Sequence, residues 1–383
     1  MELYIHIPFC VRKCRYCDFA SFPATAAQMD HYVDLLLLEA ARARDRVCDP
    51  FQSIYLGGGT PSLLSPAQLK RLLEGIRGIF GWNRDAECSM EANPGTLTPE
   101  RLNTALENGV NRLSIGMQAR QDRLLAGLGR IHRYSDVVSS VKEARKAGFT
   151  NVSLDLMFGL PGQTRLEWRE TLAAALSLEP THLSAYGLIP EESTPLWKDL
   201  EAGKCVLPEP EEEREMYAEA KDVLNAAGFI QYEISNFALP GYECRHNIGY
   251  WTQVPYLGLG LSAASMGPIH RLNGGIQYER KVNPHEFSVY EAMILENESG
   301  QKETEIVTPP QARFETMMLG LRMTAGVSET DFRQMHGISL EECYGNTLRQ
   351  LASCGLMRHT DGRWALTDRG MDVQNTVLVE LME

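Results

Sequence analysis

Along the first half of the chain, short β-branched or apolar runs alternate with longer stretches of helical apolar spacing, and Gly- or Pro-rich turns separate them. The short runs Leu3 to Ile7, Ser53 to Leu56, Glu87 to Glu91, Arg112 to Gly116, Asn151 to Met157 and His182 to Leu188 predict strands. Between them, Gln28 to Val47, Pro66 to Phe80, Pro99 to Asn108, Tyr134 to Ala147 and Leu166 to Leu178 predict amphipathic helices. Strands joined through helices pair in parallel, so the repeat implies either an open barrel or a doubly wound sheet. We take it as α/β, a partial (β/α)6 TIM-like barrel.

The rhythm then changes. An acidic, Pro-rich stretch, Lys204 to Glu215, runs into a helix over Glu211 to Ala227 and a strand-like segment, Gln231 to Ser235. From about Tyr250 the βα alternation stops, and Val254 to Gly267, rich in Gly and small residues, reads as close-packed loop. From Pro310 three helical patterns precede Leu356 to Thr367, in which Asp361-Gly362 marks a hairpin turn. Helices followed by a hairpin resemble a winged helix. A chain of 383 residues is long for one domain. The expected division is a barrel over residues 1–250 and a mainly helical C-terminal domain over residues 251–383.

Charge decides what that second part is for. The net charge of -13 argues against a general phosphate-binding surface, so a structural or partner-docking role is expected of the winged-helix-like module rather than DNA binding. Hydrophobic residues at 44% and charged residues at 23% describe an ordinary globular chain. No apolar run reaches the roughly 18 to 20 residues of a membrane span, and the polar N-terminus leads straight into a strand. A cytoplasmic protein is expected, with peripheral membrane contact left open. Nine cysteines, an odd number, fit metal or redox use better than disulfides. Five of them, Cys48, Cys88, Cys205, Cys343 and Cys354, are scattered and read as small core residues.

In either architecture functional residues collect at the C-terminal ends of the strands, and the polar motifs fall there. After the first strand comes Cys10-Val-Arg-Lys-Cys14-Arg-Tyr-Cys17. Three thiolates on a four-iron cube leave one iron without a protein ligand, and that iron can chelate the amino and carboxylate groups of S-adenosylmethionine (SAM). The alternative, a Cys3His zinc site with His6, needs that side chain on the other side of the strand. Electrons delivered through the cluster by a donor would cleave the SAM sulfonium to a 5′-deoxyadenosyl radical. Tyr16 can pack on the adenine or simply shield the cluster.

Gly57-Gly58-Gly59-Thr60-Pro61 follows the second strand and permits close backbone approach, while lacking the lysine of a P-loop. Glu91 ends the third strand, Gln118 follows the fourth, and Asp155 lies near the end of the fifth. These residues, with Arg130, offer groups for a ribose, an ammonium and a carboxylate. Singly each is more readily structural; shared placement at one face makes them a candidate ligand set.

Tyr4-Ile-His-Ile-Pro-Phe-Cys10, the CxxxCxYC core, Gly57 to Pro61, Glu91-Ala-Asn-Pro94, Asp155 to Pro161 and His246-Asn247-Ile-Gly-Tyr250-Trp251 together resemble the oxygen-independent coproporphyrinogen III oxidase superfamily of radical SAM proteins. The resemblance covers nearly the whole chain. It implies that Tyr4, Gly58, Gly59, Thr60, Glu91, Gln118, Arg130 and Asp155 fall on SAM-contacting positions. The oxidase has a further cysteine where this chain has Phe19, and an N-terminal extension ahead of its first strand, which here begins at residue 3. Both departures point to the heme-chaperone branch, which is implied to bind heme and pass it to an acceptor protein. The rivals are the oxidase reaction itself and heme breakdown as in a radical methyl-transfer relative. HNxxYW is the motif proposed to bind heme in that branch, which would make His246 an axial ligand, with Cys244 an alternative thiolate, Tyr250 and Trp251 packed on the porphyrin and Arg245 at a propionate. The same segment can equally lock the barrel against the C-terminal domain.

Overall fold

The computed structural model describes residues 1–47, 49–83, 85–272, 275–296 and 303–382. Six parallel strands, β1 (Glu2–Ile7), β2 (Ser53–Gly58), β3 (Glu87–Ala92), β4 (Arg112–Gln118), β5 (Asn151–Phe158) and β6 (His182–Gly187), lie side by side in chain order. A doubly wound sheet would reverse its order at a switch point. This one does not, and the open barrel is the observed architecture.

Helices α1 (Ala26–Ala43), α2 (Pro66–Phe80), α3 (Pro99–Glu107), α4 (Asp122–Gly127), α5 (Tyr134–Ala147) and α6 (Arg165–Leu176) lie between these strands in the chain. Their ends follow local chemistry. Thr25, Ser65 and Thr164 form capping boxes with Gln28, Gln68 and Glu167, and Gly148 closes α5 in the left-handed conformation.

Each strand alternates sides, and the apolar side faces out toward the helices. Leu3, Ile5, Ile7, Ile54, Leu56, Cys88, Met90, Leu113, Ile115, Val152, Leu154 and Leu183 build the main core between sheet and helices. The intervening positions carry Glu2, Tyr4 and His6, then Ser53 and Tyr55, Glu87 and Glu91, Arg112 and Ser114, Asp155, His182 and Tyr186. The barrel interior is therefore polar, and its upper end holds the candidate site.

Beyond β6 come α7 (Pro195–Glu201), α8 (Pro210–Ala226), β7 (Ile230–Gln231), β8 (Asn236–Ala238) and α9 (Arg245–Trp251). The strand expected over Gln231 to Ser235 is thus two short strands flanking a turn, and β8 pairs antiparallel with β6. Val254 to Gly267 is not loop. It contains β9 (Tyr256–Leu259), parallel to β1, and the start of β10 (Ala264–Leu272), which continues antiparallel into β11 (Gly275–Val282) and β12 (Glu303–Val307). Its glycines hid the strand because they allow close crossing: a Cβ on Gly258 would sit 2.0 Å from the Ala264 carbonyl oxygen. The expected division at residues 250/251 followed the end of the βα rhythm, whereas the sheet itself runs on to Val307.

After α10 (Phe287–Glu296), the C-terminal part comprises α11 (Pro309–Gly320), β13 (Val327–Ser328), α12 (Glu329–His336), α13 (Leu340–Ser353), β14 (Met357–Thr360), β15 (Arg363–Leu366), α14 (Asp368–Asp372) and α15 (Gln374–Glu380). It has its own core around Phe332, Leu348 and Trp364, and its three strands order as β13-β15-β14. Asp361 and Gly362 turn the hairpin with φ of 50° and 69°, the winged-helix pattern.

Among the cysteines read as core, Cys88 is buried, Cys205 and Cys343 are half-buried, and Cys354 is exposed where α13 ends. Cys48 lies outside the described residues. No helix among the described residues is long and apolar enough to cross a membrane.

Candidate functional site

At the C-terminal ends of β1 to β6 a cavity of about 520 Å³ opens, lined by Cys10, Cys14, Tyr16, Cys17, Gly58, Gly59, Glu91, Gln118, Arg130 and Asp155. The cysteine loop leaves β1 and is pinned by its backbone: the Cys10 N–H donates to the Phe22 carbonyl (3.1 Å), and the Arg15 N–H to that of Leu128 (2.9 Å). All three thiols are half-buried. Burial pushes the Cys17 thiol up, which a nearby cation would reverse.

The glycine run exists so that this loop can lie against it. A Cβ on Gly59 would come within 2.7 Å of the Ile7 carbonyl and 2.8 Å of the Phe9 backbone; Gly58, at φ 104°, would strike the His6 ring at 2.3 Å. Thr60 is buried rather than lining the cavity, and its Oγ1 links Cys10 Sγ (3.5 Å) to the Asn93 amide (2.7 Å). Tyr4 also lies off the cavity lining. Its hydroxyl meets His6 Nδ1 at 3.0 Å and its ring stacks on Tyr55.

Glu91 accepts from the Tyr55 hydroxyl and the Gly58 N–H, both at 3.0 Å; burial and the neighbouring Asp155 push its carboxyl up to about 7. Asp155 accepts from Ser114 Oγ (2.9 Å), and its carboxyl too is raised by burial. Gln118, held at φ 63°, accepts from the Tyr186 hydroxyl (3.1 Å). Arg130 donates to Asn93 Oδ1 (2.7 Å), while its buried Nε has no partner. Two acids that resist ionisation and an arginine with an idle donor suit a ligand carrying both cationic and carboxylate groups.

The donor set fits an iron-sulfur cube better than zinc. His6 uses both nitrogens, Nδ1 with Tyr4 and Nε2 with the Ala20 carbonyl (2.9 Å), and has none for a metal. Among the described residues no three His, Cys, Asp or Glu side chains are gathered tightly enough for a single ion. A cube spreads its thiolates over separate corners.

His246 does not reach the cavity. It is buried near the opposite, N-terminal ends of the strands, where Nδ1 meets Ser53 Oγ (2.7 Å), Nε2 meets the Tyr250 hydroxyl (3.0 Å) and the ring stacks on Tyr55 at 5.0 Å. Glu87 accepts from the N–H groups of Arg245 (3.1 Å) and His246 (3.2 Å) and from the Cys244 thiol (3.4 Å). Gly249 lets α9 press onto Glu2, since any Cβ there would fall 1.8 Å from its carboxylate. His246 and buried Cys244 thus lie in a plug in the barrel floor, away from the cavity. Burial holds the imidazole down at about 3, so it stays neutral. His246→Ala is expected to lower stability by about 2–4 kcal/mol, through two lost hydrogen bonds and a cavity, while leaving the visible spectrum of bound heme unchanged. Denaturant titration and absorption spectra check both halves, and a changed axial-ligand signature would contradict the placement.

Arg112, Tyr55 and Arg322 stand in no motif of the sequence. Arg112 and Arg322 are, respectively, buried in the barrel floor and set on the cavity wall. Only an arginine opening a predicted strand hinted at the first; nothing local marked the others.

Residues 4–175 match the radical SAM superfamily and residues 307–373 the HemN C-terminal domain. The chain is 40% identical to the heme chaperone HemW of Bacillus subtilis over 98% of its own length and 97% of that protein's. It is 35% identical to the heme chaperone HemW of Escherichia coli, over 99% and 97%. Among solved structures, coproporphyrinogen III oxidase (HemN) of Escherichia coli aligns with all of this chain and 89% of its own, at a TM-score of 0.83 and 23% identity, which is a likeness of fold.

Proposed function

The chain belongs to the HemW heme-chaperone family of radical SAM proteins, and on that premise we propose that it binds a [4Fe-4S] cluster, SAM and heme, and hands the heme to an acceptor protein. The observation that carries the site assignment is the convergence of Cys10, Cys14 and Cys17 on one cavity with Glu91, Asp155 and Arg130. In this reading the three thiolates hold the cube, and Arg130 takes the SAM carboxylate with its free donor. Glu91 faces the cationic end, Asp155 the ribose, and Tyr16 covers the adenine. Tyr4 and Thr60 position rather than touch the ligand, through His6 and Cys10. When bound, cluster and SAM supply reductive cleavage of the sulfonium, for which an electron donor is a further partner. The protein works in the cytoplasm.

The chaperone reading stands above the oxidase reading because whole-length relatives carry that name and because Phe19, exposed beside the cluster loop, occupies the position of the oxidase's further cysteine. Anaerobically reconstituted protein is expected to take up heme and release it to an apo-acceptor, and to form no vinyl groups from coproporphyrinogen III with SAM and a reductant. Turnover without heme uptake would overturn the assignment.

Glu91 adds a pH signature. Its carboxyl titrates near 7 when the cavity is empty, and a cationic ligand favours the carboxylate, so binding releases a proton. SAM affinity is therefore expected to rise with pH up to about 7, by at most tenfold per unit, and then level off. Glu91→Gln should bind more weakly and show a flat profile; calorimetry across this range tests it, and an unchanged slope in the variant would remove Glu91 from the site.

A further inference from the structure

Two cations on the cavity wall lie outside the SAM set: Arg12, which donates to the Gly129 carbonyl (2.7 Å), and Arg322. Arg322 sits in the turn after α11 and reaches the wall beside Ser235 from the C-terminal part. Its backbone is fixed: its carbonyl accepts from the Ile234 N–H (3.0 Å), and two residues on the Thr324 N–H donates to the Tyr232 carbonyl (3.1 Å). Its side chain is fixed as well, the guanidinium carbon lying 4.5 Å over the Trp251 ring. Despite this, Nε is buried without a hydrogen-bond partner. The nearby acid is Glu233, whose carboxyl burial pushes up and Arg322 pulls back down. The neighbouring Glu233 turns its Oε1 instead to the Ser235 N–H (3.0 Å) and the Asn236 amide.

A partly desolvated, immobilised guanidinium is costly unless an anion completes it, and its planar fork matches a carboxylate. The SAM carboxylate is already served by Arg130, and Glu233 turns Oε1 to Ser235 and Asn236 rather than to the guanidinium, so Arg322 has room for a second acid. Elsewhere on the same rim Phe19 and Ile189 are 65% and 74% exposed, an unusual state for side chains bordering a binding cavity. Asp18 and Glu191 also border it, and with Arg12 turned to a backbone carbonyl the anion-receptive point is Arg322. Cation and apolar surface together describe a flat apolar ligand with an acidic edge.

We propose that Arg322 is the carboxylate-binding residue of a tetrapyrrole site at the cavity mouth, gripping a heme propionate while the macrocycle lies across Phe19 and Ile189. This rests on the heme-chaperone reading and adds to it a point of recognition for the propionate. Trp251 of that motif acts as a positioning residue, through its stacking on Arg322.

The test titrates cluster-loaded full-length protein with heme and with heme dimethyl ester, whose propionates are masked. Arg322→Leu is expected to lose roughly tenfold to a hundredfold in affinity for heme and nothing for the ester. Arg322→Lys should fall between, and Trp251→Leu should show a smaller loss confined to heme. Iron content, SAM binding and melting temperature unchanged in Arg322→Leu establish that the fold is intact. Equal heme affinity in wild type and Arg322→Leu, or equal losses for heme and ester, would overturn the proposal while leaving the chaperone reading in place. Wild-type protein that takes up neither would sink both.

Discussion

Replacing any one of Cys10, Cys14 or Cys17 by Ser is expected to abolish the cluster, read as loss of iron, sulfide and the brown absorbance after anaerobic reconstitution. A serine hydroxyl does not ionise near neutrality, so the variant presents two thiolates to a cube that already has one corner without protein. No replacement ligand stands by. His6 is occupied on both nitrogens, and Thr60 Oγ1, the oxygen 3.5 Å from Cys10, is a neutral hydroxyl bound to Asn93. The fold should survive, because the loop is anchored by backbone bonds at Cys10, Arg15 and Phe22 and the cysteines themselves are only half-buried. Unchanged melting alongside lost iron is the expected pair of results, and SAM affinity should fall with the cluster. Full retention of iron and sulfide in all three variants would contradict a three-cysteine centre.

The second large effect lies at the other end of the barrel. Arg112 opens β4 inside the barrel, almost completely buried, with Glu87, Cys244, Tyr55 and Tyr232 around it. Burial alone would strip its proton more easily; the surrounding acidic groups more than reverse that, and the guanidinium stays charged. Glu87, which holds the start of α9 by three hydrogen bonds, depends on that charge in turn. Arg112→Met is expected to cost about 3–5 kcal/mol in denaturant unfolding, because it removes the buried cation that the charge of Glu87 faces in the barrel floor. Adding Glu87→Gln should restore part of the loss, because the orphaned charge goes with it. A single variant within about 1 kcal/mol of wild type would show that the floor is held by packing alone.

The two ends of the barrel explain how sequence motifs divided. The cysteine loop was legible because ligand spacing is a local property: three thiolates within eight residues must share a centre wherever the loop goes. Strand positions were legible for the same reason, since β1 to β6 differ from their expected limits by two residues or fewer. The HNxxYW segment was not. A histidine beside two aromatics reads alike whether it meets a porphyrin or a barrel floor, and its true partners, Ser53, Tyr55 and Glu87, lie more than 150 residues away. Arg322 escaped notice because its meaning depends on Ser235 and Trp251, supplied by separate segments.

What the sequence determined by itself was whatever its periodicity and local spacing encode: six βα units, a cluster loop after the first strand, a hairpin at the C-terminal end. The tertiary structure alone decided that residues 256–307 extend the sheet. It also decided that Tyr4 and Thr60 sit behind the cavity, that His246 seals the floor, and that Arg322 faces the cavity. The physical reason is reach: hydrogen bonds and ligand contacts act over a few ångströms of space, and only folding brings residues hundreds of positions apart within that distance.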